Sequence, residues 1–277
     1  MNPLVKRALV LGAVLVLGAV ACTKASPPEK EPGGAVPPPA PTRTITLAAA
    51  SDLKFALDEL LKDFHARHPG TRVAVTYGSS GNFLAQLKEG APFDVYLSAD
   101  VAYPRELAAQ GLVEGDVFTY AIGRLVVWVP KASPLPLETS GLKVLLEPGA
   151  RRIAIANPRH APYGRAAEAA LKRQGLYDAV KDKLVIGENI AQTAQFVQSG
   201  ATDVGLIALA LALAPAMKDQ GRFWEVPLEA YPRLEQGGAV LKRAKDLELA
   251  RQVRDALMGP EGRALLQRYG FSLEPPR

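Results

Sequence analysis

Ile45-Thr46-Leu47-Ala48-Ala49-Ala50-Ser51-Asp52-Leu53 is a short apolar strand that runs directly into a helix. Downstream, apolar residues recur at Leu53, Ala56, Leu57, Leu60, Leu61 and Phe64, the spacing of one helix face. Ser51 is therefore expected at the N-cap of that helix or just before it. The first N–H groups of a helix have no partner within it, and the helix dipole places partial positive charge there. A hydroxyl beside such amides makes a cradle for a small anion. The plainer reading is that Ser51 caps its own helix, since serine is a preferred N-cap residue with or without a ligand.

The same arrangement recurs along the chain. From Thr71 to Tyr77, Val73 and Val75 alternate with more polar neighbours, as in a strand. Gly78-Ser79-Ser80-Gly81-Asn82 follows, then Phe83, Leu84 and Leu87 with a stop at Gly90, a second strand–turn–helix unit. Glycines allow close backbone approach to a ligand, although the plainer reading is a flexible turn. Two such turns after neighbouring parallel strands aim their amides into the crevice at the strands' carboxyl ends. A phosphate-binding P-loop does not fit, because no Gly-Lys-Ser/Thr follows. A serine nucleophile fits poorly too: the Gly-x-Ser-x-Gly spacing is missing, and the only histidines are His65, His68 and His160.

Phe93–Leu97 reads as a strand and Tyr103–Gln110 as a helix stopped by Gly111. Asp94 and Asp100 read as structural carboxylates, since no third ligand stands at metal-like spacing. Arg124–Val129 is a strongly apolar strand, and residues 131–148 are loop-rich around Pro134, Pro136, Gly141 and Pro148. Arg152–Ala156 is a strand leading through Asn157-Pro158-Arg159-His160-Ala161-Pro162-Tyr163-Gly164 to a helix expected over Arg165–Gln174, so that Tyr163 lies just before a third helix start. Arg159 and His160 are not expected to pair with an anion, because amides suffice. Leu184–Gly187 is a short strand, and Asn189 is a good N-cap for a helix with Ile190, Ala194, Phe196 and Val197 on its apolar face. The Ile190 amide then lies at a fourth free helix start, and Glu188 is expected to turn its side chain away. Asp203–Ala208 reads as a strand entering an Ala/Leu helix through Met217. Phe223–Tyr231 returns the chain, Gln236–Lys242 is a strand, and helices follow over Asp246–Met258 and Glu261–Arg268.

The 277 residues are 48% hydrophobic with a mean hydropathy of +0.03, as in a soluble globular body. Lys6 and Arg7 precede an uncharged apolar run, Ala8–Ala21, which ends at Cys22, the only cysteine. This is a signal segment, too short to span a bilayer comfortably. Ala19-Val20-Ala21-Cys22 resembles a bacterial lipobox, with Ala19 where leucine is usual. Cys22 is thus the expected lipidation site, and ordinary cleavage near Ala21 is the alternative. Thr23–Pro41 is rich in Pro, Gly, Ala and Ser without aromatics, a tether rather than a core. The net charge is +5, from 33 basic and 28 acidic residues, and is spread out, so nucleic acid is not an expected partner.

Taken together, Ala-Ala-Ala-Ser-Asp-Leu at 48–53, Tyr-Gly-Ser-Ser-Gly at 77–81, Gly-Ala-Pro-Phe-Asp-Val-Tyr-Leu-Ser-Ala-Asp at 90–100 and Ala-Asn-Pro-Arg-His-Ala-Pro-Tyr-Gly at 156–164 resemble the periplasmic molybdate-binding proteins of ABC transporters. The resemblance runs from about Thr44 to Phe271. It implies an α/β, two-lobed type II periplasmic-binding-protein fold, each lobe a mixed sheet flanked by helices, with two crossover strands and the ligand in the cleft. The implied segments are a signal over 1–21, a lipid-anchored tether over 22–43, lobe one over 44–123 and 231–277, and lobe two over 124–230. By position, Ser51 and Ser80 match the family's hydroxyl ligands, and Tyr163 and Ile190 match its lobe-two amide donors. Asp52 and Ser79 adjoin these residues. The common family pattern has a tyrosine hydroxyl after the strand ending here at Ile207, where this chain has Ala208. Tyr163 stands where many members have alanine, which suggests a contribution at the mouth of the site. The resemblance further implies molybdate or tungstate as ligand, an ABC permease as partner, a monomer in the periplasm or cell envelope, and no catalytic residue, cofactor or bare metal ion. Two alternatives stay open: the same fold for sulfate, thiosulfate or another oxyanion, and a secreted serine hydrolase using Ser51, Ser80 and His160.

Overall fold

The structure, a computed structural model, describes residues 43–273. The expected signal segment, Cys22 and nearly all of the tether lie outside the described residues. In chain order, the first elements are β1 (Arg43–Ala50), α1 (Lys54–Arg67), β2 (Thr71–Gly78), α2 (Ser80–Lys88), β3 (Val95–Ser98), α3 (Ala102–Ala109) and β4 (Val113–Gly123). Next come β5 (Leu125–Pro130), α4 (Leu137–Ser140), β6 (Ile153–Ala156), α5 (Pro162–Arg173), α6 (Tyr177–Val180), β7 (Leu184–Gly187), α7 (Ile190–Gln198), β8 (Val204–Ala208), α8 (Leu209–Ala212) and β9 (Gly221–Glu225). The last are β10 (Leu234–Leu241), α9 (Leu247–Met258) and α10 (Pro260–Arg268).

The strands form two five-stranded mixed sheets, in the orders β2-β1-β3-β10-β4 and β7-β6-β8-β5-β9. Each has three parallel strands, one antiparallel strand beside them and an antiparallel edge strand. The inner parallel strands β3, β6 and β8 are short and buried throughout, as strands covered by helices on both faces must be, whereas the edge strands β2 and β7 are only partly buried. β1 is buried at Ile45 and from Leu47 to Ala50, and α1 lays Ala56, Leu57, Leu60, Leu61 and Phe64 against its sheet. Burying each of the larger of these side chains contributes about 1.5–3 kcal/mol. The first sheet is packed on both faces, one under α1, α9 and α10 and the other under α2 and α3. The second sheet has its own core around Trp128, Ile155, Leu171, Val197 and Leu206.

The chain crosses between the sheets twice, at Arg124 between β4 and β5 and again between β9 and β10. The two crossings are tied together where the Leu125 N–H donates to the Tyr231 hydroxyl at 3.1 Å. Several sequence expectations are corrected here. β4 was not foreseen. Phe223–Glu225 still belongs to the second sheet, so the return to the first begins only after it. α8 is one turn long and stops before Pro215, which disfavours helical geometry in the residue preceding it. Tyr163 lies inside α5, as its second residue, because Pro162 occupies the first helical position that proline favours.

Candidate functional site

Four parallel strands end at the interface between the lobes: β1 at Ser51, β2 at Ser79-Ser80, β6 at the loop before Pro162, and β7 just before Asn189. One small hollow, about 10 Å³ in volume, lies among these ends. It is lined by Ser51, Asp52, Ser79, Ser80, Tyr163 and Ile190, the full set of expected ligand residues, with Ala50, Gly78, Ala99, Ala161 and Pro162 between them. No lysine, arginine or histidine stands among these lining residues. Larger surface grooves exist, one between α1 and α10 and another beside the hollow, where Ser51, Lys54, Asn189, Ala191 and Gln192 line the starts of α1 and α7.

Ser51 does not cap its own helix. It opens a 3₁₀ turn, Ser51–Leu53, whose cap position is Ala50. Its hydroxyl instead crosses to the other lobe, donating to Asn189 Oδ1 at 3.1 Å and accepting from the Ala191 N–H at 3.3 Å. Asn189 is the N-cap of α7 as expected, its Oδ1 also accepting from the Ala191 and Gln192 amides. Ser80 is the first residue of α2. Its Oγ accepts from the Ala99 N–H at 3.0 Å, which leaves the hydroxyl proton to point elsewhere.

Ser79 joins the lobes at the rim. Its hydroxyl donates to the His160 carbonyl at 2.7 Å, and the Gly81 N–H donates to the same oxygen at 2.9 Å. His160 Nδ1 lies 2.8 Å from Ser79 Oγ. A hydroxyl has one proton. With that proton on the carbonyl, the imidazole is the donor in the second contact and not a base, so this pair works against the hydrolase alternative. Glu188 turns away from the hollow and accepts from Asn82 Nδ2 at 2.6 Å, and Arg165 of α5 pairs with Asp100 at 2.6 Å. Asp94 is structural, accepting from the Thr46 and Lys245 amides.

Asp52 and Tyr163 carry their side chains behind the hollow, toward the crossing strands. Gln236 of β10, fully buried, donates through Nε2 both to Asp52 Oδ2 and to the Tyr163 hydroxyl, the latter at 3.3 Å. Burial pushes the Asp52 carboxyl up to about 6, against the hydrogen bonds from Gln236 and Tyr163 that favour its charged form. Burial, and then the Asp52 charge, hold the Tyr163 phenol well above its usual range, so it stays protonated. The expectation that Tyr163 contributes at the mouth is therefore corrected: the residue is 1 % exposed, and its hydroxyl lies over Gly123, where a Cβ would stand 2.2 Å away. Ala208 is not part of the wall. Sequence reasoning missed Gln236, although an amide at the head of the apolar run Gly-Gly-Ala-Val-Leu is a signal that a buried polar partner awaits it.

The model of the bacterial extracellular solute-binding proteins matches residues 45–272. The chain belongs to that family. Among its relatives, the molybdate-binding protein ModA of Azotobacter vinelandii is 35% identical over 231 residues, covering 83% of this solute-binding protein and 90% of the relative. ModA of Rhodobacter capsulatus is 35% identical over 206 residues, covering 74% and 79%. The solved structure of the Azotobacter vinelandii periplasmic molybdate-binding protein superposes with a TM-score of 0.77 at 33% identity, over 83% of this chain and 100% of that one. The two five-stranded sheets of this solute-binding protein thus have the type II periplasmic-binding-protein fold, with the hollow at the strand ends between its two lobes.

Proposed function

We propose that this solute-binding protein captures molybdate or tungstate in the interlobe hollow and hands it to an ABC permease. One observation carries the reading: hydroxyls and helix-start amides from four strand ends converge on one small hollow with no cationic side chain in its wall. A tetrahedral dianion that is fully deprotonated at neutral pH needs donors only. Ser80 and the amides at Tyr163 and Ile190 supply them from both lobes, Ser51 joins them by turning its one proton from Asn189 Oδ1 to the ion, and the amides at Asp52 and Ser79 add to the set. Hydrogen bonds to a charged group contribute about 1.5–3 kcal/mol each, so several together support sub-micromolar affinity after ordering costs. Sulfate has the same charge and shape but shorter bonds, so the size of the ring selects against it.

No catalytic role is assigned to any lining residue, and the protein acts as a monomer. Its mature form is held at the cell envelope by lipid on Cys22, and Cys22→Ser is expected to move it from the membrane fraction to the soluble one.

Titration calorimetry tests the main reading. Molybdate and tungstate are expected to bind one per chain below micromolar, with sulfate and phosphate at least a hundredfold weaker. Ser80→Ala removes one donor to the ligand and is expected to weaken molybdate at least tenfold in a protein that still unfolds cooperatively. Equal affinity for sulfate would replace the ligand named here, and unchanged affinity in folded Ser80→Ala would remove Ser80 from the site.

A further inference from the structure

We propose that Tyr163 is a positioning residue, whose phenol, bridged by Gln236 to Asp52 behind the hollow, keeps the lobe-two wall in register with the lobe-one wall while the ligand is held. The inference rests on the oxyanion reading above and goes beyond it, because it concerns side chains that do not face the ligand.

Tyr163 and Asp52 each contribute a residue at the start of a helix to opposite walls of the hollow. Their side chains leave the hollow on the far side and meet there. Gln236 Nε2 serves both, and Gln236 belongs to β10, the strand by which the chain returns to the first lobe. The phenol and the amide both pack onto Gly123, the last residue of β4 before the other crossing. A Cβ at Gly123 would stand 2.2 Å from the phenol oxygen and 2.7 Å from Gln236 Nε2. The bridge therefore sits at the hinge, where a small displacement is magnified at the rim. Asp52 Oδ1 and Gln236 Oε1 stay unpartnered, so Gln236 Nε2 carries the link, and parting the lobes at this point would break its contact with the Tyr163 phenol, the one that crosses between them. The ligand and the bridge then favour the same arrangement of the lobes, and each strengthens the other. The remaining buried hydroxyls nearby are committed elsewhere, Tyr120 to the Ser98 carbonyl and Tyr231 to the Leu125 amide.

The experiment is stopped-flow fluorescence with molybdate on the mature protein, comparing wild type, Tyr163→Phe and Gln236→Met. Tyr163→Phe keeps the backbone amide and the ring and deletes only the hydroxyl. The expected result is a dissociation rate raised about tenfold with an association rate within twofold of wild type. Gln236→Met is expected to do the same, and the double variant to lose no more than either single one. A side chain that served only the fold would lower the melting temperature of the ligand-free protein and leave the dissociation rate alone. Unchanged dissociation in both single variants, or additive losses in the double variant, would overturn the bridge while molybdate capture stands. Absence of molybdate binding by wild type would overturn the capture reading and the bridge with it.

Discussion

Asp52 carries the carboxylate that lies behind the hollow, and its cost is measurable. Burial raises its pKa from 3.8 to about 6, so the folded protein holds this proton more tightly than the unfolded chain does. The stabilising effect of that proton is complete below about pH 3.8 and is lost as pH rises through about 6. Two units correspond to about 3 kcal/mol. Asp52→Asn keeps an oxygen for Gln236 and removes the ionisation. Urea midpoints of wild type and Asp52→Asn are expected to be similar near pH 4 and to diverge towards pH 7, the variant becoming the more stable. Parallel curves across that window would show that Asp52 ionises in the folded protein as freely as in the unfolded one. Asp246 titrates in the opposite sense: its carboxylate is held down to about 2, chiefly by the Arg43 guanidinium. Its contribution is lost on acidification and is common to both proteins, so it cancels in the comparison.

At the scale of elements, α7 shows how a helix start can serve a ligand and its own stability separately. Asn189 Oδ1 accepts from the Ala191 and Gln192 amides at 3.0 Å each and also meets the Ser51 hydroxyl. Aspartate is as good an N-cap as asparagine, but it places a negative charge beside the Ile190 amide. Asn189→Asp is expected to keep the melting temperature within about 2 °C and to weaken molybdate more than tenfold. Asn189→Ala, without a cap, is expected to lose about 1 kcal/mol, or about 2–4 °C in a domain of this size. A variant Asn189→Asp that binds as well as wild type would place the anion away from this helix. The cap itself was legible in the sequence because capping is decided by a few adjacent residues. β4 was not, because Gly115 adopts the left-handed region at φ +69° and Asp116 follows it, which breaks the alternation. Its partner strand, β10, lies more than a hundred residues on and pairs with it through irregular register. The helix starts at Ser51, after the turn at 78–81 and at Ile190 were local signals, the choice of Ser80 within that turn came from the family resemblance, and the geometry gathers the three. What those hydroxyls and the Tyr163 phenol touch depends on partners across the cleft, such as Asn189 and Gln236, that no local pattern names.

For the whole molecule, the arrangement of the two lobes depends on how close α2 can come to the loop after β6. Gly81 makes that approach possible: its N–H donates to the His160 carbonyl at 2.9 Å, and a Cβ on it would stand 2.6 Å from that oxygen and 2.9 Å from the His160 Cα. Both obstructing atoms are backbone, so no side-chain rotation relieves the clash. Within α2 alone, alanine is the better helix former, although Gly81 is only the second residue of the helix. Gly81→Ala thus separates the stability of the lobe from the closeness of the lobes, since it favours the helix and wedges the cleft. The ligand-free variant is expected to melt at or slightly above the wild-type temperature. Its molybdate affinity is expected to fall at least tenfold, because the donors of lobe two can no longer reach an ion seated on Ser51 and Ser80. Small-angle scattering of the molybdate-saturated variant is expected to give a larger radius of gyration than that of saturated wild type. A variant that is as compact and binds as tightly as wild type would mean that the contact between Gly81 and His160 does not belong to the ligand-holding arrangement, and that the ion is held with the rim further apart.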